Sequence, residues 1–317
     1  MSQNTILSYK DAFVLFLVYA HEEKQLDANI IEFHQITQEL ILGFLDWLET
    51  NRHCCPATRN VRLAALHSFF RYVQYQSPEH GHEWQKILGI PVKRTQKGTV
   101  SYLTLEAIRN LLKEPDQRTR RGRRDLALLS LLYESGCRVA ELIQLTPSMV
   151  RLEQPCTVKL VGKGNKARIV PLLEAQTQFL SYYMQENNLL EAHANQYPLF
   201  HNSRREKLTR TGVNYILKKY VHKAKQKHPG LFPDTVSCHC LRHSKAMHLL
   251  QAGVNLVYIR DILGHSSVQV TEVYARADSK QKREAIEKAY SEVAPKETPS
   301  WEVNDNLLQW LMSFPKL

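Results

Sequence analysis

Residues Thr157 to Pro171 read TVKLVGKGNKARIVP. Thr157 to Val161 and Ala167 to Pro171 are short runs of mainly β-branched and aliphatic residues. Gly162-Lys163-Gly164-Asn165-Lys166 between them is rich in turn formers, so the stretch predicts a β-hairpin. Around it the apolar residues recur at helical spacing. Downstream, helices fit Glu174 to Glu186, Thr211 to Lys225, His243 to Ala252, Val257 to Leu263 and Ser267 to Tyr274. Upstream, helical patterning starts at Thr104 and returns over Arg124 to Glu134 (RDLALLSLLYE), a segment apolar enough to be buried nearly all round. One hairpin in helical surroundings defines a mainly α chain with a small β-hairpin or sheet, an α+β class.

Further upstream the pattern is helical throughout. Tyr9, Phe13, Phe16, Leu17 and Ala20 follow the three-and-four spacing of an amphipathic helix. Thr37 to Thr50 (TQELILGFLDWLET) repeats it, with Thr37 as N-cap and Leu40, Ile41, Phe44, Leu45 and Leu48 inward. Pro56 to Tyr75 turns Val61, Leu63, Leu66, Phe69, Phe70 and Val73 inward, and Arg59, Arg62 and Arg71 interrupt its stripe. Pro91 to Tyr102 (PVKRTQKGTVSY) breaks the pattern and reads as an extended basic linker carrying Lys93, Arg94 and Lys97. The 317 residues suit two domains at about 150 residues each. The expected division is a helical bundle over 1–90, the linker over 91–102, a second domain over 103–293, and a C-terminal linker and helix over 294–317.

Composition narrows the class. An apolar fraction of 43% with 12 Gly and 13 Pro excludes collagen-like and low-complexity chains. The longest apolar run, Ala12 to Ala20, has nine residues, against about 20 needed to cross a bilayer. Acidic Glu22-Glu23 follow it where a signal peptide would place small residues, so a cytoplasmic, nucleoid-associated protein without a membrane partner is expected. Six cysteines in a chain this long suit reduced thiols rather than a disulfide framework. The net charge of +11 is unevenly spread. Residues 1–90 hold 7 basic and 10 acidic side chains, residues 91–277 hold 29 and 14, and residues 278–317 hold 6 and 7. A surplus of fifteen on the middle segment is the footprint of a polyanion-binding domain.

Four patches in that segment carry chemistry. Gly136-Cys137-Arg138-Val139-Ala140-Glu141 sets an arginine after a glycine helix break. Lys163 sits at the hairpin tip. His239-Cys240-Leu241-Arg242-His243-Ser244 places a histidine and an arginine three apart, and Leu263-Gly264-His265 is followed by Tyr274. Singly, each has an ordinary structural explanation: an ion pair, a solvated lysine, a core tyrosine. Jointly, in this order, they resemble the catalytic domain of the tyrosine recombinase (phage integrase) family over roughly residues 100–280. Thr58 to Tyr72 (TRNVRLAALHSFFRY) is similar to the SAM-like, DNA-clamping core-binding domain of that family.

The side chains suit the chemistry. Cleaving a phosphodiester requires a nucleophile, neutralisation of two non-bridging oxygens, and an acid for the departing oxygen. A tyrosine, with a phenol pKa of about 10, can store the broken bond's energy as a phosphodiester of its own. Arg138 and Arg242 supply permanently charged planar forks matched to phosphate. His239 and His265 can donate hydrogen bonds or relay protons near neutral pH. Two guanidiniums can do the electrostatic work of a metal, and the chain contains no G-x-x-x-x-G-K-[ST] loop for ATP. No cofactor and no metal are therefore expected. Cys238-His239-Cys240 with His243 and His248 lacks the paired spacing of a zinc module.

The resemblance implies roles. Tyr274 would attack the scissile phosphate to give a 3′-phosphotyrosine and a free 5′-hydroxyl. Arg138, His239, Arg242 and His265 would bind the phosphate, Lys163 would be the general acid, and Glu141 would orient Arg138. Arg52, Arg59, Arg62, Arg71, Lys93, Arg94 and Lys97 would contact DNA. The implied partners are double-stranded DNA with specific recombination sites, three further copies in a homotetramer, and an accessory directionality factor. The tail beyond Tyr274, with Leu307, Leu308, Leu311 and Phe314 on one face, would dock on a neighbouring protomer. Nothing upstream of the bundle offers a separate arm-binding domain, which disfavours integrases that read arm sites. An integrase or transposase of a mobile element leads. The alternatives are a Xer-like resolvase, a non-catalytic DNA-binding regulator, and a nicking-closing enzyme of the type IB topoisomerase kind.

Overall fold

The computed structural model describes residues 3–95, 100–162 and 164–277. The expectations for Lys97, for Lys163 and for the segment 278–317 lie outside the described residues. The chain divides into two compact units, Met1–Gly98 and Thr99–Leu317.

The first unit contains α1 (Gln3–Lys24), α2 (Gln38–Thr50), α3 (Pro56–Val73) and α4 (Gly81–Leu88). Thr37 caps α2 by accepting from the Leu40 amide at 3.2 Å, and Leu40, Ile41, Phe44, Leu45 and Leu48 are all buried. Aromatic rings fill the centre. Phe16 meets Phe44 edge-on at 5.5 Å between centroids, and Phe70 stacks on Trp84 at 5.1 Å. Trp84 Nε1 donates to the Ser77 carbonyl at 3.1 Å, which satisfies its buried polar atom. Trp84 and Ile87 are the buried anchors of α4, with Leu88 half-buried beside them and polar residues between, so periodicity gives it little signal. Val61, expected inward, is instead exposed. At 100° per residue it lies about 200° around α3 from Leu63, on the far flank.

The second unit is built on α6 (Arg120–Glu134), in which ten residues are buried. Around it stand α5 (Leu105–Lys113), the short α7 (Val139–Leu142), α8 (Glu174–Glu186) and α9 (Arg210–Lys227). The hairpin is part of a three-stranded antiparallel sheet in the order β1-β2-β3, formed by Val150–Arg151, Thr157–Val161 and Ala167–Pro171. The added strand β1 is two residues long, below what sequence patterning can register. Val158 pairs with Val170 and Leu160 with Arg168. Val158, Leu160 and Val170 face the core, while Lys159 and Ile169 face solvent.

Three further helices complete the unit: α10 (Cys238–Gln251), α11 (Leu256–Leu263) and α12 (Gln269–Ala277). Ser237 is the N-cap of α10, so the helix starts five residues before the expected His243. His239 and Arg242 therefore both lie on α10, three apart along one face. Ala246, Met247, Leu250, Ile259, Leu263 and Tyr274 form a core shared by these three helices. Among the described residues, no helix is long and apolar enough to cross a membrane.

Candidate active site

Gly136 leaves α6 in the left-handed region at φ +57°, and Arg138 becomes the residue that opens α7. Arg138 donates from Nη1 to Glu141 Oε1 at 2.9 Å and from its amide to Oε2 at 2.8 Å. Its Nη2 reaches the Gly264 carbonyl at 3.4 Å. Glu141 also accepts from Arg168 Nη1 at 3.1 Å and Nη2 at 2.7 Å. Burial works to raise the Glu141 pKa, but the hydrogen bonds and charge of Arg168 and Arg138 outweigh it and hold the carboxyl below its ordinary range.

Arg168 ties the site's segments together. Besides gripping Glu141, it donates from Nε to the Ile262 carbonyl at 2.8 Å. It also fills the space beside Gly264, where an added Cβ would lie 2.8 Å from Nη1. Gly264 ends α11 at φ +64°, so both its conformation and its neighbour demand glycine. At the neck of the hairpin, a Cβ on Gly162 would lie 3.2 Å from Glu141 Oε1. The expected acid, Lys163, follows Gly162 directly but lies outside the described residues.

Arg242 is 4% exposed. It donates from Nη1 to the Gly136 carbonyl and from Nη2 to the Leu263 carbonyl, both at 2.6 Å. Burial, then the charge of Arg138, pulls its pKa down to about 10. His265 follows Gly264 and shares a hydrogen bond between Nδ1 and Thr271 Oγ1 at 2.9 Å. Burial and then Arg242, Arg138 and Arg168 push His265 down to about 4. His239, exposed on one side at the start of α10, is lowered by partial loss of solvent around its ring and then by Arg242 and Arg138.

Tyr274, on α12, is 3% exposed. Its ring lies nearly parallel to that of His265, at 15° and 6.4 Å, and its hydroxyl is 2.8 Å from His243 Nδ1. Burial raises its pKa against the opposing pull of Arg242 and Arg138. The phenol, Arg138 and Arg242 thus act on one another, and the structure gathers Arg138, Glu141, His239, Arg242, His265 and Tyr274 into one cluster. Three guanidiniums gather there around one carboxylate, which bonds two of them, Arg138 and Arg168. Burial first, and the positive charge after it, lower the imidazole pKa values, and the positive surplus suits an anion with two free oxygens.

Sequence reasoning missed Arg168, His243 and Thr271. Arg168 had a readable signal, because it shares a strand face with buried Val170, an unusual place for an arginine. Thr271 and His243 had none, since their partners are reached only through the folded chain. The thiol of Cys137 is pushed up to about 11 by burial. Cys238 lies with its Sγ 3.0 Å from Asn214 Oδ1. Among the described residues, no group of three or more His, Cys, Asp or Glu side chains could hold a metal ion.

The residues expected to contact DNA fare differently. Arg52, Arg71 and Arg94 are exposed, and Arg52 lies over the Trp47 ring at 5.8 Å. Lys93 is exposed but anchored: it pairs with Glu49, its carbonyl accepts from Asn60 Nδ2 at 2.8 Å, and its amide donates to Asn60 Oδ1 at 3.0 Å. Arg62 is drawn to Asp11 and the Ser8 carbonyl. Arg59 is a correction: it is 4% exposed and faces Glu49 at 3.9 Å. One helical turn before Leu63, it shares the inward face of α3.

The profile of the phage integrase family matches residues 101–281, and that of the phage integrase N-terminal SAM-like domain matches residues 1–76. The chain is 36% identical over 314 residues to y4rC of Sinorhizobium fredii (strain NBRC 101917 / NGR234), named as an integrase/recombinase, covering 98% of this chain and 92% of that protein. It is 30% identical over 298 residues to the tyrosine recombinase XerD of Staphylococcus epidermidis, covering 93% and 94%. Among solved structures, the XerH site-specific recombinase bound to its difH substrate superposes with a TM-score of 0.68 at 23% identity, over 89% of this chain and 78% of that one. The integrase of transposon Tn1549 in complex with circular intermediate DNA gives 0.68 at 17%, over 91% and 94%. These two likenesses establish the fold. Matched across both units, the chain belongs to the phage integrase family of tyrosine recombinases and is a site-specific recombinase.

Proposed function

We propose that this chain cuts and rejoins duplex DNA at specific recombination sites through a 3′-phosphotyrosine on Tyr274. The supporting observation is the convergence of Arg138, Arg242 and Tyr274 from α7, α10 and α12. Arg138, Arg242, His239 and His265 bind the non-bridging oxygens of the scissile phosphate. Preorganised donors of this kind contribute on the order of 3–4 kcal/mol each to the transition state. Glu141 and Arg168 hold Arg138 in position. Lys163 protonates the departing 5′-oxygen, and a 5′-hydroxyl from another strand later attacks the phosphotyrosine, so rejoining uses neither ATP nor a metal. Arg52, Arg62, Arg71, Lys93, Arg94 and Lys97 add contacts to the DNA backbone. The working assembly is a homotetramer on DNA, tuned by a directionality factor, with the segment 294–317 docking on a neighbouring copy.

The leading biological reading is the integrase or transposase of a mobile element, supported by the 36% identity to y4rC. A Xer-like resolvase is the second, supported by 30% identity to XerD over 93% of the chain. The test uses a duplex selected from a random library by binding to the full-length protein and nicked to trap the intermediate. A covalent protein–DNA adduct is expected, and none with Tyr274→Phe. A wild-type protein that binds but forms no adduct overturns the proposal in favour of a non-catalytic regulator. Relaxation of supercoils without exchange between two duplexes would instead indicate a nicking-closing enzyme.

A further inference from the structure

The imidazoles around Tyr274 stand in unequal relations to its hydroxyl. His265 lies parallel to the ring and shares its Nδ1 with Thr271. His239 is exposed, with its ring 6.2 Å from that of His243. His243 alone of the three places a nitrogen on the phenol oxygen, at 2.8 Å, within the reach a general base requires. Its ring lies 5.6 Å from the Tyr274 ring, tilted at 55°, so it approaches the hydroxyl rather than stacking. We propose that His243 is the proton acceptor for Tyr274, a catalytic residue of strand cleavage. This inference rests on the function proposed above.

The protonation states support the direction of transfer. Burial, then His239 and Arg242, lowers the His243 pKa, so the ring is neutral near pH 7 and offers a lone pair. Burial raises that of Tyr274, so the phenol keeps its proton until attack and needs a base to lose it. In cleavage the Tyr274 O–H bond breaks, its proton passes to His243 Nδ1, and the oxygen's electron pair forms the bond to phosphorus. The bond from phosphorus to the 5′-oxygen breaks, and that oxygen takes a proton from Lys163. Rejoining runs the same transfers backwards, with His243 returning the proton to the departing phenol. Burial, then His239 and Arg242 from α10, lower the His243 titration, while Tyr274 from α12 shares its Nδ1 and His265, in the turn between α11 and α12, is itself lowered by His243.

The test measures the rate of adduct formation on the selected, nicked duplex for the full-length protein and two variants. His243→Gln keeps an acceptor without a useful basicity, and His243→Phe keeps the ring volume. Both should bind DNA as the wild type does and form adduct about 100-fold more slowly, the low end for a lost general base. Their rates should climb about tenfold per pH unit across a range where the wild type is flat, as hydroxide replaces the base. A duplex with sulfur in place of the scissile 5′-oxygen, whose thiolate leaves without a proton, separates the two proton transfers. It should restore Lys163→Ala and leave His243→Gln slow. Adduct formation at the wild-type rate in both variants overturns the inference, as does a faster reaction, which would make His243 a latch on the nucleophile. Restoration of His243→Gln by sulfur also overturns it. Absence of adduct from the wild-type protein strikes the proposed function instead.

Discussion

Each unit holds a carboxylate that faces two cations, and the two sites differ in how they do it. Glu49, in the first unit, is 21% exposed at its side chain, pairs with half-exposed Lys93, and lies 3.9 Å from Arg59. Arg59 keeps Nε and Nη1 buried without a hydrogen-bond partner among the described residues. Glu141, in the second unit, is 3% exposed at its side chain and accepts four hydrogen bonds from Arg138 and Arg168. Counting charges would rank the two alike. What separates them is directed geometry: Glu141 binds α7 to β3, and through Arg168 to the C-terminal end of α11. A buried carboxylate that joins three segments carrying functional groups is a structural hub, whereas a partly exposed one without directed bonds to its arginine is an ion pair of lesser reach.

The strongest way to break that contrast is to delete both carboxylates. Glu141→Ala leaves Arg138 and Arg168 without their counter-charge in a buried setting and should cost about 3–5 kcal/mol of unfolding free energy. Glu49→Ala should cost less than Glu141→Ala, because Glu49 and Lys93 are partly exposed and Arg59 lies 3.9 Å away without a directed bond to lose. Urea unfolding followed by circular dichroism checks both. Equal losses would mean that burial and hydrogen-bond count do not set the difference.

Acid should sharpen the contrast with a smaller effect. His265 has a folded pKa of about 4, below the ordinary value of about 6.5. As pH falls through about 6.5 the unfolded chain takes up a proton that the folded one refuses. The stability tied to His265 is therefore fully present above that pH and drains away towards pH 4. His239, His243 and His248 are lowered in the same sense, all in the second unit. In the first unit His67 is lowered, by burial and by Arg71. Hydrogen exchange at pH 7.5 and pH 5 should show the second unit losing more protection than the first. A parallel loss in both would remove the role given to the converging guanidiniums.

How much of this could be read from the chain alone follows the range of the interactions. The hairpin, Thr37 as cap, and the apolar faces of α2 and α6 depend on neighbours within a few residues, and they were legible. Arg138, Arg242, His265 and Tyr274 were legible as a set through their order and flanking residues. Their shared cluster is a tertiary fact. Arg59 misled because an arginine is ordinarily displayed, whereas position 59 falls on the inward face of α3. Arg168 could have been found by strand alternation. The pairing of His243 with Tyr274 spans 31 positions and joins two helices, so local pattern holds no trace of it.

The smallest expected effect separates exposed arginines from inward ones in the first unit. Arg71 projects from α3 into solvent, and Arg52 lies exposed over Trp47. If each meets a DNA phosphate, Arg71→Ala and Arg52→Ala should each lower the slope of log affinity against log salt by about 1. Folding stability should change by no more than about 0.5 kcal/mol, as for other surface sites. Arg59→Met should do the reverse, leaving the salt slope unchanged, because a guanidinium turned towards Glu49 releases no counterion when DNA binds. Fluorescence titrations of the selected duplex at several salt concentrations distinguish the two patterns. A reduced slope for Arg59→Met would mean that this side chain swings outward on DNA, and would return it to the set of backbone contacts.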